Sequence, residues 1–385
     1  MDPSGSYTVA LPLGTPSQSQ VFLTLDLNSP LTSLSCSTNL SSDSSFHPSS
    51  SSTFRNRTAS PQPCANSSSS CNYLAQDSLT LTQRTVYSLN NTTPTPLLST
   101  VVDVAVPSLT FLCASSLPNN SASALPPPIG VAAFSRGRFS IPSQVAREAG
   151  LAKEFAYCLS GSIGPVVFGS RPEGYAFQTF PDPPVIFNMS NLHNRLPLLA
   201  VKGGKYAVRV EDITISEKSV NLTKPVKMYI STTTRYTRLE RSVYKKVREG
   251  FRRQIKYGNE SAGVVAMSAV PPFDTCFNVT SPSIPDRTSF FFHTAQSGQV
   301  SFLLSGNREW PLFTDTLAGV NGDVLCLAMV DAGRREPSVL GTFNQQGRLV
   351  HIDLLNRSLA FGQVDNVGLQ IPHGLFRYRN CANFV

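Results

Sequence analysis

Eight cysteines are the residues that most directly commit this chain to a chemistry. Even in number, they run from Cys36 to Cys381 and nowhere take the close paired spacing of a zinc site or a dithiol redox motif. Structural disulfides are the expected use, with no metal and no cofactor. A second signal is Asn-x-Ser/Thr without proline at x, the acceptor pattern for N-linked glycan. It starts at Asn39, Asn56, Asn66, Asn90, Asn91, Asn119, Asn188, Asn221, Asn259, Asn278 and Asn356. A Ser- and Asn-rich chain produces some of these by chance, but so many beside even cysteines predict the secretory pathway and an extracellular location. The opening MDPSGSYTVALPLG has no basic stretch followed by an apolar run, as expected if a signal peptide has been trimmed or the gene model is incomplete.

Charge supplies a third signal. Lys and Arg outnumber Asp and Glu by 32 to 24, and part of the excess lies in RYTRLERSVYKKVREGFRRQIK, residues 235–256. Val243, Val247, Phe251 and Ile255 recur there at four-residue steps, which predicts a helix with a solvated basic face. A nucleic-acid surface would need aromatic residues on the charged face or a groove-reading motif, whereas Tyr244 and Phe251 fall on or beside the apolar stripe. The net charge of +8 predicts salt-dependent attraction to acidic proteins and to acidic, pectin-like cell-wall polysaccharide. Nothing in the composition calls for a membrane, and a soluble monomer is expected.

The elements that must position these residues are mostly strands. At 385 residues the chain is long enough for about two domains. Short alternating runs broken by Gly, Pro, Ser and Asn fill the first half: YTVALPLG, QVFLTLDL, SLTLTQRTVYSL and GPVVFG. KYAVRVEDITI, VKMYIST, VSFLLSG, VLCLAMV, RLVHIDLL and SLAFGQV continue the pattern in the second. Helical periodicity is confined chiefly to Ile141–Ala152 and Arg241–Tyr257. Between Cys36 and Cys71 the composition collapses to Ser, Thr, Asn and Pro, which predicts a surface loop. The proline-rich, aperiodic segment 171–197 is the expected crossover between two lobes, with the boundary near Phe187.

In order and spacing the chain resembles, nearly end to end, the plant branch of the pepsin-like aspartic proteases. The resemblance rests on YTVALPLGTPSQSQVFLTLDLNSPLTSLSC, on FHPSSSSTF followed by Cys64, and on GVAAFSRGRFSIPSQVAREAGLAKEFAYCLSGS. It continues through DTCFN and SVLGTFNQQGRLVHIDLLNRSLAFG. It implies a mainly β, bilobal pepsin-like fold: two β-barrel-like lobes around a central cleft, with a few short helices. The lobes would be residues 1–187 and 188–385, similar to the N- and C-terminal halves of xylanase inhibitors.

Chemistry in such proteases needs two carboxylates about 3 Å apart sharing a proton, one from an Asp-Thr/Ser-Gly turn in each lobe, under a closing flap hairpin. The first motif reads Asp26-Leu27-Asn28-Ser29, which keeps the carboxylate but lacks the hydroxyl and the glycine. The second reads Ile230-Ser231-Thr232-Thr233-Thr234, with serine for the aspartate. Asp26 and Ser231 are therefore read as vestigial, and no Gly-x-Ser-x-Gly elbow makes Ser231 a nucleophile. Where active relatives place a flap, Cys71-Asn72-Tyr73 runs almost at once into Asp77-Ser78-Leu79-Thr80-Leu81, so the hairpin tip is expected to be deleted and Tyr73 to be a strand residue.

The chain is most similar to a non-catalytic subgroup: xylanase inhibitors, extracellular dermal glycoproteins and basic seed globulins. That resemblance implies disulfides pairing Cys36 with Cys113, Cys64 with Cys71, Cys158 with Cys381, and Cys276 with Cys326. In the inhibitors a histidine before the last cysteine reaches the carboxylates of a glycoside hydrolase. The matching residue here is His373, eight residues before Cys381, a longer spacing than theirs, with Phe376 and Arg377 beside it. The expected function is a secreted pseudo-protease that inhibits a microbial endoglycosidase, xylanase or xyloglucanase, in plant defence. An aspartic endopeptidase, and a storage or wall-binding protein, are the alternatives.

Overall fold

The computed structural model describes residues 6–18, 21–37, 45–57, 72–87, 98–114, 127–159, 166–169, 175–177, 185–187, 195–259, 265–278, 299–312, 317–320 and 324–363. Alternation dictates the strands. In Phe22–Asp26 the side chains of Leu23 and Leu25 point into the core and their neighbours outward. Burial of each such leucine contributes about 1.5–3 kcal/mol.

That strand lies in a seven-stranded sheet ordered Thr8–Ala10, Phe22–Asp26, Gly130–Ala133, Ser33–Ser35, Leu98–Ala114, Asn72–Tyr87 and Arg55–Asn56. Phe22–Asp26 runs parallel to Gly130–Ala133, which is antiparallel to Ser33–Ser35, which is parallel to Leu98–Ala114. An eight-stranded sheet in the second half repeats the sequence of pairings. There Val226–Ile230 runs parallel to Ser338–Leu340, which is antiparallel to Thr237–Glu240, which is parallel to Met329–Gly333. A five-stranded sheet, ordered Leu196–Pro197, Ser358–Gln363, Arg348–Asp353, Glu154–Cys158 and Val166–Phe168, draws on both halves of the chain. Two copies of one strand topology joined by a shared sheet make the bilobal, mainly β, pepsin-like architecture.

Two α-helices occur among the described residues. In α1, Ile141–Glu148, Pro142 sits in the first turn, where its missing N–H costs nothing. It stops short of the predicted Ala152 because Gly150 adopts φ +66° and Leu151 N–H returns to the Ala146 carbonyl at 3.0 Å, a Schellman closure. In α2, Arg241–Asn259, the predicted stripe of Val243, Val247, Phe251 and Ile255 is buried. Its neighbour Tyr244 is buried too and donates to the Asp274 carboxylate.

One expectation needs correction. The segment after Cys36 is not wholly a surface loop: Phe46 is fully buried, packs on Phe54 and Phe111, and its N–H bonds the Ser35 carbonyl. Two phenylalanines supply the anchor that a Ser-rich composition conceals. Within the expected crossover, segment 171–197, Tyr175–Phe177 pairs antiparallel with Val185–Phe187.

Candidate functional site

The two duplicated units meet where a protease of this architecture would hold its carboxylates. Thr232, buried one residue beyond Ser231, donates its hydroxyl to the Leu25 carbonyl at 2.7 Å and accepts the Leu27 N–H at 3.2 Å. Thr232 thus clasps the backbone on both sides of Asp26. The twofold relation of the units makes Leu27 the counterpart of Thr232, and Asp26 the counterpart of Ser231. Leu27 has no hydroxyl to return the clasp and is instead fully buried in the core.

Each position is held by its lobe. The Asp26 carbonyl accepts Phe134 N–H at 2.8 Å, and its Oδ1 accepts Asn28 N–H at 2.8 Å. Burial raises the Asp26 pKa, with the Asn28 hydrogen bonds and Lys205 opposing. The Oδ1 atom of Asn28 is buried and has no partner among the described residues. In the other lobe Ser231 N–H bonds the Leu340 carbonyl at 3.2 Å, and its Oγ lies 3.1 Å from Thr234 Oγ1 and 3.3 Å from Thr233 Oγ1. Gly341 follows Leu340 because the chain crosses there: a Cβ would fall 2.4 Å from the Tyr236 carbonyl carbon. One turn thus carries a partly dehydrated carboxyl and the other a cluster of hydroxyls.

Strand Asn72–Tyr87 is continuous, pairing with Leu98–Ala114 along its length, so no turn breaks it between Tyr73 and Leu81 where a flap would need one. Tyr73 is a half-buried strand residue packed against the core. Among the described residues no three His, Cys, Asp or Glu side chains cluster as a metal site requires, and no helix is long and apolar enough to cross a membrane.

Cys36 is bonded to Cys113, and Cys276 to Cys326, its directly opposed neighbour across two strands. Cys158 is buried and disulfide-bonded. Cys64, Cys71, Cys381 and the segment with His373, Phe376 and Arg377 lie outside the described residues. Two residues whose roles the sequence did not announce are Thr232 and Gln345. Buried Gln345 donates to the Ser231 carbonyl at 2.7 Å and accepts the Tyr157 hydroxyl at 2.8 Å, which ties the second site loop to the shared sheet. Its only sequence signal is polarity inside an otherwise core-forming GTFNQQG run.

Two family descriptions match the chain, Xylanase inhibitor N-terminal over residues 7–170 and Xylanase inhibitor C-terminal over residues 205–363. The chain belongs to this family, the xylanase-inhibitor type of plant pepsin-like proteins. Gamma conglutin 1 of Prunus dulcis is 30% identical over 291 residues, 73% of this chain and 61% of that protein. Probable aspartic proteinase GIP2 of Nicotiana benthamiana is 28% identical over 288 residues, 66% of this chain and 58% of that one. The chain spans about three fifths of the length of the curated relatives it matches. The crystal structure of Basic 7S globulin from soybean shares the fold, with a TM-score of 0.68 at 22% identity over 100% of this chain and 97% of that one.

Proposed function

We propose that this protein is a secreted pseudo-protease that acts in plant defence by binding and inhibiting a microbial glycoside hydrolase, a xylanase or xyloglucanase. The observation that carries the reading is the clasp of Thr232 on the backbone either side of Asp26, which brings the Ser231 turn to that carboxyl with a hydroxyl in place of the second one that proteolysis needs. The family descriptions matched in both lobes are those of inhibitors, and a chain of net charge +8 is suited to the carboxylate-lined cleft of a hydrolase. The Nicotiana relative, a probable aspartic proteinase, favours an endopeptidase, against which Ser231 and the uninterrupted strand Asn72–Tyr87 both speak.

His373 is the proposed inhibitory residue, donating to a catalytic carboxylate, with Phe376 stacking where sugars bind and Arg377 adding charge. Inhibition constants for a panel of fungal xylanases and xyloglucanases, at pH ~5 and pH ~8, test this with His373→Ala beside the parent. Potency should be greater at the lower pH and fall by about 30-fold in the variant, as loss of an interface hot spot of about 2 kcal/mol gives. Equal potency in the variant moves the site elsewhere. Failure to inhibit any hydrolase overturns the reading in favour of storage or wall binding.

A further inference from the structure

A second place in the molecule has the chemistry of a binding site, and it does not depend on any hydrolase target. A pocket of about 550 Å³ opens between the residues after strand Gly130–Ala133, the connection ahead of strand Ala207–Ile215, and the turn between strands Arg348–Asp353 and Ser358–Gln363. Four cationic side chains line it, Arg136, Lys153, Lys202 and Arg357, and no carboxylate among the described residues does. Three of the four are exposed, and Arg136 is half-buried.

The arrangement is built. Arg136 N–H bonds the Gly204 carbonyl at 2.9 Å and its Nη2 the Val201 carbonyl at 3.3 Å, while its Nε is buried with no partner among the described residues. The turn Lys202–Gly204 reaches that carbonyl because Gly203 and Gly204 adopt φ of +74° and +71°. Asp353, the carboxylate that precedes Leu354 in the lining turn, is engaged elsewhere. It pairs with Arg195 at 3.1 Å and with Asn356. Four cations with no ion-pair partner among the described residues, around one concavity, generate a positive potential that an anion relieves.

Size and lining decide the class of anion. The volume falls in the range of organic-ligand pockets, about 300–1,000 Å³, far beyond a lone inorganic ion. Ala200, Val201 and Leu354 add an apolar wall suited to the C–H face of a sugar ring. We propose that the Arg136–Lys153–Lys202–Arg357 pocket binds a uronic-acid residue of an acidic polysaccharide, the guanidinium groups of Arg136 and Arg357 taking its carboxylate.

Calorimetric titration of the whole protein with a galacturonate trimer tests this. Parallel arms use the fully methyl-esterified trimer, inorganic sulfate and a short polyglutamate. Binding should be present for the free acid, weaken as salt rises, and be lost on esterification. It should fall at least tenfold in Arg136→Gln and in Arg357→Gln separately, the second variant standing in if the first misfolds. Lys245→Gln on α2, with the same loss of charge on an exposed helix face, should bind as the parent does. Equal loss in Lys245→Gln, undiminished binding in both pocket variants, or retained binding of the methyl ester overturns the assignment. Sulfate or polyglutamate binding as tightly as the trimer overturns it too, in favour of a site for anions at large or for acidic protein.

Discussion

The Thr232 hydroxyl lies 2.7 Å from the Leu25 carbonyl, a hydrogen bond that joins residues 207 positions apart and locks the two halves of the fold at the level of Asp26. Because Leu27 cannot reciprocate, this single side chain carries the whole clasp at its two bonds. Thr232→Val keeps the shape but leaves a buried carbonyl and a buried N–H unpaired, which should cost about 2 kcal/mol. Urea unfolding measures it. A variant as stable as the parent would mean that the clasp contributes nothing to the fold.

Ser231→Asp would restore the missing carboxyl but not the activity, since Leu27, Asn28 and the unbroken strand Asn72–Tyr87 remain. Beside Asp26, whose own pKa burial already raises, the new carboxyl would make a pair that shares a proton, so one member of the pair would be held protonated in the folded protein. Groups with raised folded pKa stabilise below their unfolded pKa and lose that contribution as pH rises. The variant should therefore lose stability relative to the parent on going from pH ~4 to pH ~7. Thermal melts across that range decide it, and a difference between the two proteins that does not change with pH would show that the carboxyls do not meet.

His351 sits in the shared sheet, fully buried, with Nε2 2.9 Å from Glu154 Oε2. Burial and the Arg195 charge push its pKa down to about 4, against the pull of Asp353. The unfolded chain then takes up a proton first, so stability should fall as pH drops from about 6.5 towards 4, by up to about 3 kcal/mol. Glu154, raised by burial and by Asp353 against Arg195, offsets part of this, because a raised carboxyl pKa favours the folded state in acid. His351→Gln should flatten the decline over that window. A decline as steep in the variant would assign the acid sensitivity to other groups.

Much of this was legible in the residues. Period-two runs fixed the strands, and the four-residue recurrence from Val243 to Ile255 fixed α2, because packing and periodicity agree there. Serine at 231 could be read directly, since it is an identity rather than a geometry. The clasp could not: Thr232 is one of three consecutive threonines, and only the meeting of two distant strand ends selects it. Phe46 was hidden by its Ser-rich surroundings, and the basic pocket by distance along the chain, its lining running from Arg136 to Arg357.

Cys158 is disulfide-bonded, and its expected partner is Cys381. That link would close a loop of roughly 220 residues and stabilise the fold by about 5 kcal/mol in the loop-entropy treatment. Peptide mapping without reduction should recover a Cys158–Cys381 peptide. Cys158 joined to Cys64 or Cys71 would refute the pairing.

The central claim is that this pepsin-like fold no longer cuts. Digestion of an unstructured protein substrate across the acidic range, followed by mass spectrometry with and without pepstatin, tests it most directly. With one carboxyl at Asp26 and a hydroxyl at Ser231, the protein should leave the substrate intact at every pH, and pepstatin should change nothing. Pepstatin-sensitive cleavage by the parent protein would contradict the account.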